Sequence, residues 1–170
     1  MKNIIFFGPP GAGKGTQAKE ISKYFHLEHL STGEILRLKI QQKDNLANQL
    51  KEIMSTGKLV SDEILNRIVA EKLIDASQDG FILDGYPRTI EQSQFLNSFL
   101  KEKSIKLNYI FSIDLSFKLL KERILNRAKE ESRDDDNIDV IETRYNKYIE
   151  TTKKVSDFYK INFSQIFNEI

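Results

Sequence analysis

The chain has no cysteine, only two histidines, no excess of charge of either sign and no long apolar run. Without cysteine there is neither a disulfide framework nor a cysteine-ligated zinc site, and His26 and His29 cannot close a zinc site alone. Packing has to hold the fold, and no structural zinc is expected. Lys and Arg number 26 against 25 Asp and Glu, so no overall basic field awaits DNA or RNA, and a phosphate ligand has to be met locally. No apolar stretch approaches the ~20 residues that cross a bilayer, and Met1-Lys2-Asn3 leads straight into a strand pattern without a secretion signal. A soluble, cytoplasmic protein with no membrane or nucleic-acid partner is the expectation. The sequence carries no internal repeat or low-complexity linker, and 170 residues at 39% hydrophobic are the size of one domain with a real core.

What is present is organised around Gly8-Pro9-Pro10-Gly11-Ala12-Gly13-Lys14-Gly15-Thr16. This stretch follows the apolar run Ile4–Phe7 and precedes an amphipathic helical pattern, a setting of strand, anion-binding loop and helix. Gly8, Gly11 and Gly13 let the backbone curl so that successive N–H groups face one anion at the positive end of the following helix. Lys14 adds a mobile charge. The spacing G-x-x-x-x-G-K is that of a P-loop, except that Gly15 stands where most P-loops carry the magnesium-binding hydroxyl, which comes one residue later at Thr16.

Downstream, the spacing of Ala18, Ile21, Tyr24 and Phe25 predicts a helix from 14 to about 26 with one apolar face packed on a sheet. Residues 27–30 read as a short strand, and Ser31 offers an N-cap hydroxyl to a helix carrying Ile35, Leu36 and Leu38. A further helix from about 44 to 55 stops at Gly57. Residues 31–60 thus form a small helical excursion. Ser61-Asp62 caps the next helix, with Ile64, Leu65, Ile68, Val69 and Leu73 inward. Phe81-Ile82-Leu83-Asp84 resembles a buried parallel strand delivering a carboxylate to its carboxyl end, where ligands bind in α/β sheets. After the turn Gly85-Tyr86-Pro87-Arg88 come a helix over 89 to about 102, a strand over 109–115, and a helix from 117 to about 128. That last helix carries Arg123 and Arg127 beside its core stripe. Residues 129–136 read as an exposed polar connection, 138 to about 159 as a long helix, and 163–170 as a closing strand. Alternating strands and helices imply a doubly wound α/β fold with a parallel sheet.

The loop, STGEILR at 31–37, GKLVSDEI at 57–64, LDGYPRT at 83–89, and R-x-x-x-R followed by R-D-D-D-N together resemble the adenylate kinases, over nearly the whole chain. The resemblance implies a P-loop nucleoside monophosphate kinase fold with a five-stranded parallel sheet, reversible transfer ATP + AMP = 2 ADP with Mg2+, and a monomer. It implies a core of 1–30, 61–126 and 137–170, an AMP-binding excursion at 31–60, and a short lid at 127–136. It assigns ATP's phosphates to Gly11, Ala12, Gly13, Lys14, Gly15 and Thr16, with Arg123 and Arg127. It places Arg88, Arg123, Arg127, Arg133 and Arg144 around the transferring group and the AMP phosphate, Arg37 beside AMP, and Asp84 as the carboxylate that orients hydrated magnesium. Thr32, Met54, Lys58, Leu59, Val60, Gly85, Tyr86, Pro87 and Gln92 complete the AMP site it implies. The chemistry suits the residue types, because phosphoryl transfer asks mainly for positioning and charge neutralisation, and arginine's fork matches phosphate oxygens two at a time.

Met54, Leu59 and Val60 read equally as packing residues and as an adenine pocket. Gln92 reads also as an exposed helical amide, and Glu130, Glu131 and Asp134–Asp136 as a solvated face. Ser61 stands where the family usually has proline. A UMP/CMP kinase of the same fold would typically carry alanine at 32 and asparagine near 92, so Thr32 and Gln92 favour AMP; a nucleotide-binding switch that transfers no phosphate would have no need of five converging arginines. Family members usually follow the strand matching 163–170 with a glycine turn and a last helix. Either this is a reduced form or further residues follow Ile170; only if none follow is ATP's adenine expected to be held loosely and the domain to melt early, with AMP held normally.

Overall fold

The computed structural model describes residues 2–42, 45–76, 79–131 and 138–170, leaving aside the side chains of 127–131, 138 and 139. Five strands, β1 (Ile4–Phe7), β2 (Glu28–Ser31), β3 (Phe81–Asp84), β4 (Tyr109–Ser112) and β5 (Phe167–Glu169), form one sheet in the order β2-β3-β1-β4-β5. All pairings are parallel, with Phe6 opposite Asp84 and Phe111, and Ser31 opposite Asp84 on its other side. β1 and β3 lie in the middle of the sheet, which is why they read as unbroken apolar runs, buried at every position.

Alternation along the strands divides the core in two. Ile5, Phe7, Phe81, Leu83 and Ile110 face a larger cluster with Leu36 of α2 (Thr32–Ile40), Leu50 of α3 (Asn45–Ser55), Leu65, Val69 and Leu73 of α4 (Asp62–Ala76), Leu96 and Leu100 of α5 (Ile90–Glu102), and Val155 and Tyr159 of α8 (Lys153–Asn162). Ile4, Phe6 and Ile82 face a smaller one with Ala18 of α1 (Lys14–Phe25) and Leu120 of α6 (Phe117–Glu131). Parallel strands joined through helices on both faces bring the carboxyl ends of β1, β2 and β3 to one rim.

Several local expectations are corrected. Tyr24 and Phe25 do not join the apolar face of α1: they are 78% and 42% exposed, stack edge-to-face at 4.8 Å, and Lys2 sits 3.5 Å over the Phe25 ring. Leu27, read as strand, is buried just beyond the left-handed His26 that ends α1. Ser31 is the N-cap residue of α2 but makes no side-chain cap, whereas Thr89 caps α5 by accepting from Gln92 N at 3.1 Å. The strand expected over 109–115 pairs regularly only to Ser112. Helix α6 continues through Glu131, because Lys129-Glu130-Glu131 are good helix formers with no breaker among them; the rest of the polar connection, 132–137, lies outside the described residues.

The long helix expected from 138 is α7 (Ile138–Lys147), a π-helical turn (Tyr148–Thr152), and α8 running on to Asn162. In the π turn, Lys153 N donates to Tyr148 O, and the Thr151 hydroxyl donates to Lys147 O at 2.7 Å. The closing strand expected over 163–170 is only Phe167–Glu169, because residues 163–166 form a turn in which Ile166 N donates to Phe163 O at 3.0 Å.

Candidate active site

β1 runs into the loop at Gly8, and the loop turns on left-handed Gly11 (φ 79°) and Gly13 (φ 94°) before α1 begins at Lys14. At Gly11 a side chain is excluded twice over, since a Cβ there would lie 2.6 Å from Ile124 Cγ1 and 3.2 Å from Leu120 O. Helix α6 therefore lies directly against the loop, and Arg123 Nη1 reaches Ala12 O at 3.4 Å. Gly13 is the N-cap of α1 and no side chain caps it, so the positive end of the helix faces the ligand space. Lys14 folds back over the loop, Nζ donating to Gly8 O at 2.8 Å and Pro9 O at 2.9 Å.

Two cavities open at this rim. The larger, about 650 Å3, is lined by Gly11, Gly13, Lys14, Gly15 and Thr16 of the loop and α1, by Asp84 and Glu34, and by Arg37, Arg88, Arg123 and Arg144. The smaller, about 130 Å3, is lined by the apolar Leu36, Met54, Leu59, Val60 and Leu65 and by the cations Lys14, Arg37, Lys58, Arg88, Arg144 and Lys147; no carboxylate is among its described lining residues. The cavities share Pro10, Lys14, Gly33, Arg37, Gly85, Arg88 and Arg144. Apolar side chains together with several cations suit a base and a phosphate, and Lys14, Arg37, Arg88 and Arg144 line both cavities.

Asp84 is buried at the end of β3. Burial works to raise its pKa, but His29, Lys14 and Arg88 outweigh it and hold the carboxyl below its ordinary value. His29 Nε2 stands 3.5 Å from Asp84 Oδ2, too long for a well-formed hydrogen bond, and has no other hydrogen-bond partner. A Cβ on Gly15 would come 3.3 Å from Asp84 Oδ2. An ionised carboxylate with space kept beside it, and the Thr16 hydroxyl in the same cavity, fit a hydrated Mg2+. No group of residues that could hold a metal directly occurs among the described residues. Glu34, opposed by burial but paired with Lys19 at 2.7 Å, is likewise held below its ordinary pKa.

Gly85, at φ 82°, turns the chain out of β3, and the Tyr86–Pro87 peptide that follows is cis. The Gly85 carbonyl accepts from Thr32 Oγ1 at 2.9 Å and from Arg88 Nε at 2.7 Å, which ties the excursion's first helical residue and the Arg88 guanidinium to one point. Tyr86 is buried, its hydroxyl donating to Asn66 Oδ1 at 2.5 Å, and burial pushes its pKa up.

Of the residues singled out in the sequence, Thr32, Arg37, Met54, Lys58, Leu59, Val60, Gly85, Tyr86, Pro87, Arg88 and Arg144 line the smaller cavity. Gly11, Gly13, Lys14, Gly15, Thr16, Asp84 and Arg123 line the larger. Ala12 is buried within the loop. Arg127 lies on α6 with its side chain outside the description, and Arg133 lies outside the described residues. Gln92 is not the exposed amide that its helical position allowed: it is 0% exposed and lines neither cavity, its Oε1 accepting from Arg88 N at 2.7 Å and its Nε2 donating to Asp62 Oδ1 at 2.7 Å. Sequence reasoning missed Lys147, Tyr148 and Thr152, which line the smaller cavity with Arg144. The i, i+4, i+8 spacing of Arg144, Tyr148 and Thr152 carries that signal.

A doubly wound sheet whose first strand feeds a P-loop, with a shared row of arginines between two cavities, defines a P-loop phosphotransferase of the nucleoside monophosphate kinase class. Residues 6–163 match the adenylate kinase family model. The chain is 41% identical over 161 residues to an adenylate kinase of Leptospira biflexa, covering 94% of this chain and 87% of that protein. It is 39% identical over 186 residues to one of Petrotoga mobilis, with 94% and 86% covered, and 42% identical over 158 residues to one of Corynebacterium urealyticum, with 92% and 85% covered. The chain belongs to the adenylate kinase family.

Proposed function

We propose that this chain catalyses ATP + AMP = 2 ADP across the two joined cavities, with ATP's phosphates in the larger and AMP in the smaller. The observation that carries this is the sharing of Lys14, Arg88 and Arg144 by both cavities, since in-line transfer needs the donor's terminal phosphate and the acceptor phosphate inside one cationic enclosure. The loop amides and Lys14 hold the donor phosphates. Arg88 and Arg144 hold the acceptor phosphate and the group in transit, with Arg123 at the donor side and Arg127 and Arg133 joining them as the lid, 127–136, comes in. Thr32, Met54, Leu59 and Val60 receive the AMP base and ribose, and Arg37 and Lys58 flank them, on the excursion 31–60. Gln92 serves this site from behind Arg88. Asp84 would orient the water shell of a Mg2+ carried in with ATP, and that ion would supply neutralisation of phosphate charge. Core, excursion and lid belong to a single kinase domain that works as a cytoplasmic monomer.

ADP formation from ATP plus AMP, with UMP and CMP as alternative acceptors, tests the reading. Turnover with AMP well above that with either pyrimidine nucleotide is expected; no ADP from ATP plus AMP would refute it.

A further inference from the structure

Asp62 is the first residue of α4, and both of its carboxylate oxygens are engaged: Thr89 Oγ1 donates to Oδ2 at 2.7 Å and Gln92 Nε2 donates to Oδ1 at 2.7 Å. A carboxylate can only accept, so the Gln92 amide must turn its nitrogen toward Asp62. Its oxygen then faces the Arg88 N–H, which can only donate, and takes it at 2.7 Å. On the other side of the same residue, Thr152 Oγ1 donates to Arg88 O at 3.3 Å. The main chain of Arg88 is thus held at both its polar groups, and the amide that holds one of them is wholly buried, where an amide turned the wrong way would leave donor against donor and acceptor against acceptor.

We infer that Asp62 is a positioning residue for the acceptor-nucleotide site: its carboxylate fixes the polarity of the buried Gln92 amide and through it anchors the main chain of Arg88. The inference rests on the reading of Arg88 as a ligand of the acceptor phosphate. Asp62 lines neither cavity and acts only through Gln92. Because it roots α4 directly after the segment 31–60, it also ties the far end of that segment to the Arg88 turn.

The test uses the full chain and two readouts, hydrogen exchange of the Arg88 amide by NMR without nucleotide, and separate KM values for AMP and ATP. Asp62→Ala should speed Arg88 amide exchange at least tenfold and raise KM for AMP roughly ten- to hundredfold, as loss of an outer-shell partner commonly does, while KM for ATP stays within twofold. Asp62→Asn keeps one acceptor oxygen for Gln92 and should stay within about threefold of the parent. Thr89→Val removes the other half of the Asp62 contacts together with the α5 cap; it should lower the melting temperature yet leave KM for AMP within twofold, separating positioning from stability. Gln92→Glu sets carboxylate against carboxylate and should lose Arg88 protection, and adding Asp62→Asn should restore it.

An Arg88 amide equally protected in Asp62→Ala, or no restoration in the double variant, overturns the inference. KM values for AMP and ATP rising together overturn it as well. Lost protection with unchanged KM for AMP refutes instead the reading of Arg88 as the phosphate ligand, and with it the role of Asp62 at that site.

Discussion

Gly85→Ala isolates the geometry at the centre of the proposed acceptor site. The residue sits at φ 82°, and a Cβ there would lie 2.8 Å from Thr32 Oγ1 and 2.8 Å from Arg88 Nη2, where ordinary contact begins at 3.4 Å. Elsewhere a flexible guanidinium would swing aside at little cost. Here both neighbours are hydrogen-bonded to the carbonyl of Gly85 itself, so the new methyl is wedged between two groups anchored to its own residue. Each must move by roughly 0.6 Å, the difference between 3.4 and 2.8 Å. Left-handed backbone without glycine costs about 1–2 kcal/mol, which for a domain of this size lowers the melting temperature by roughly 2–8 °C. The functional cost is larger. A displacement on the order of 1 Å can reduce rate a hundredfold, so kcat/KM for AMP should fall roughly tenfold, with KM for ATP within twofold of the parent. Circular dichroism melting and a coupled ADP assay measure both. A variant that melts early as expected but keeps kcat/KM for AMP within twofold would refute the claim that Gly85 places Arg88 and Thr32.

Lys14→Ala and Arg88→Ala should each lower turnover about a hundredfold, on the order of 3 kcal/mol of transition-state stabilisation, with unchanged far-ultraviolet circular dichroism; near-normal rates in either would break the charge map. For Asp84, whose pKa is lowered in the fold, the stabilisation due to its charge is present above the ordinary carboxyl value near 3.9 and is lost as pH falls through the lower folded value. The stability gap between parent and Asp84→Asn, read by urea unfolding, should therefore shrink as pH falls from about 5 to about 3; a gap that persists unchanged over that range counts against it. Tyr148 is shifted the other way, pushed up to about 12 by burial and by Asp114 and Asp157. Its neutral form suits the fold, so stability should drop as pH climbs from about 10 to about 12, and Tyr148→Phe should soften that drop; identical alkaline curves would show that the phenol ionises without consequence.

The parts of this site that could be read from sequence are those where one residue type has one physical reason to be present. The apolar runs at 4–7 and 81–83 read as buried strands, and the glycines at 8, 11 and 13 announce a loop whose amides turn inward. What could not be read depends on partners distant in sequence. Nothing local says that Thr152 donates to Arg88 O, that Tyr24 is exposed while Ala18 is wholly buried, or that a turn over 163–166, closed by Ile166 N donating to Phe163 O, delays the closing strand to Phe167. Gln92 is the sharpest case: its helical position allowed an exposed amide and the family resemblance implied a base contact, and the fold buries it between Asp62 and Arg88 N.

The anomaly in the loop has a similar origin. Most P-loops place a hydroxyl directly after the lysine, and Gly15 looks like a loss when only the local sequence is considered. In the fold, residue 15 faces Asp84 across the narrow space between the first turn of α1 and the end of β3, and even a methyl group would stand 3.3 Å from Oδ2, tighter than ordinary contact. A serine or threonine there would fill the space beside the carboxylate, whereas glycine leaves room for the water shell that Asp84 is proposed to orient. The hydroxyl moves one position on, to Thr16, which still lines the larger cavity. On the proposed reading, phosphate would be met by amides and cations while the metal's waters would be met by a carboxylate from a different strand, so the two functions would be divided between the elements that follow β1 and β3, which are held in register by Phe6 opposite Asp84.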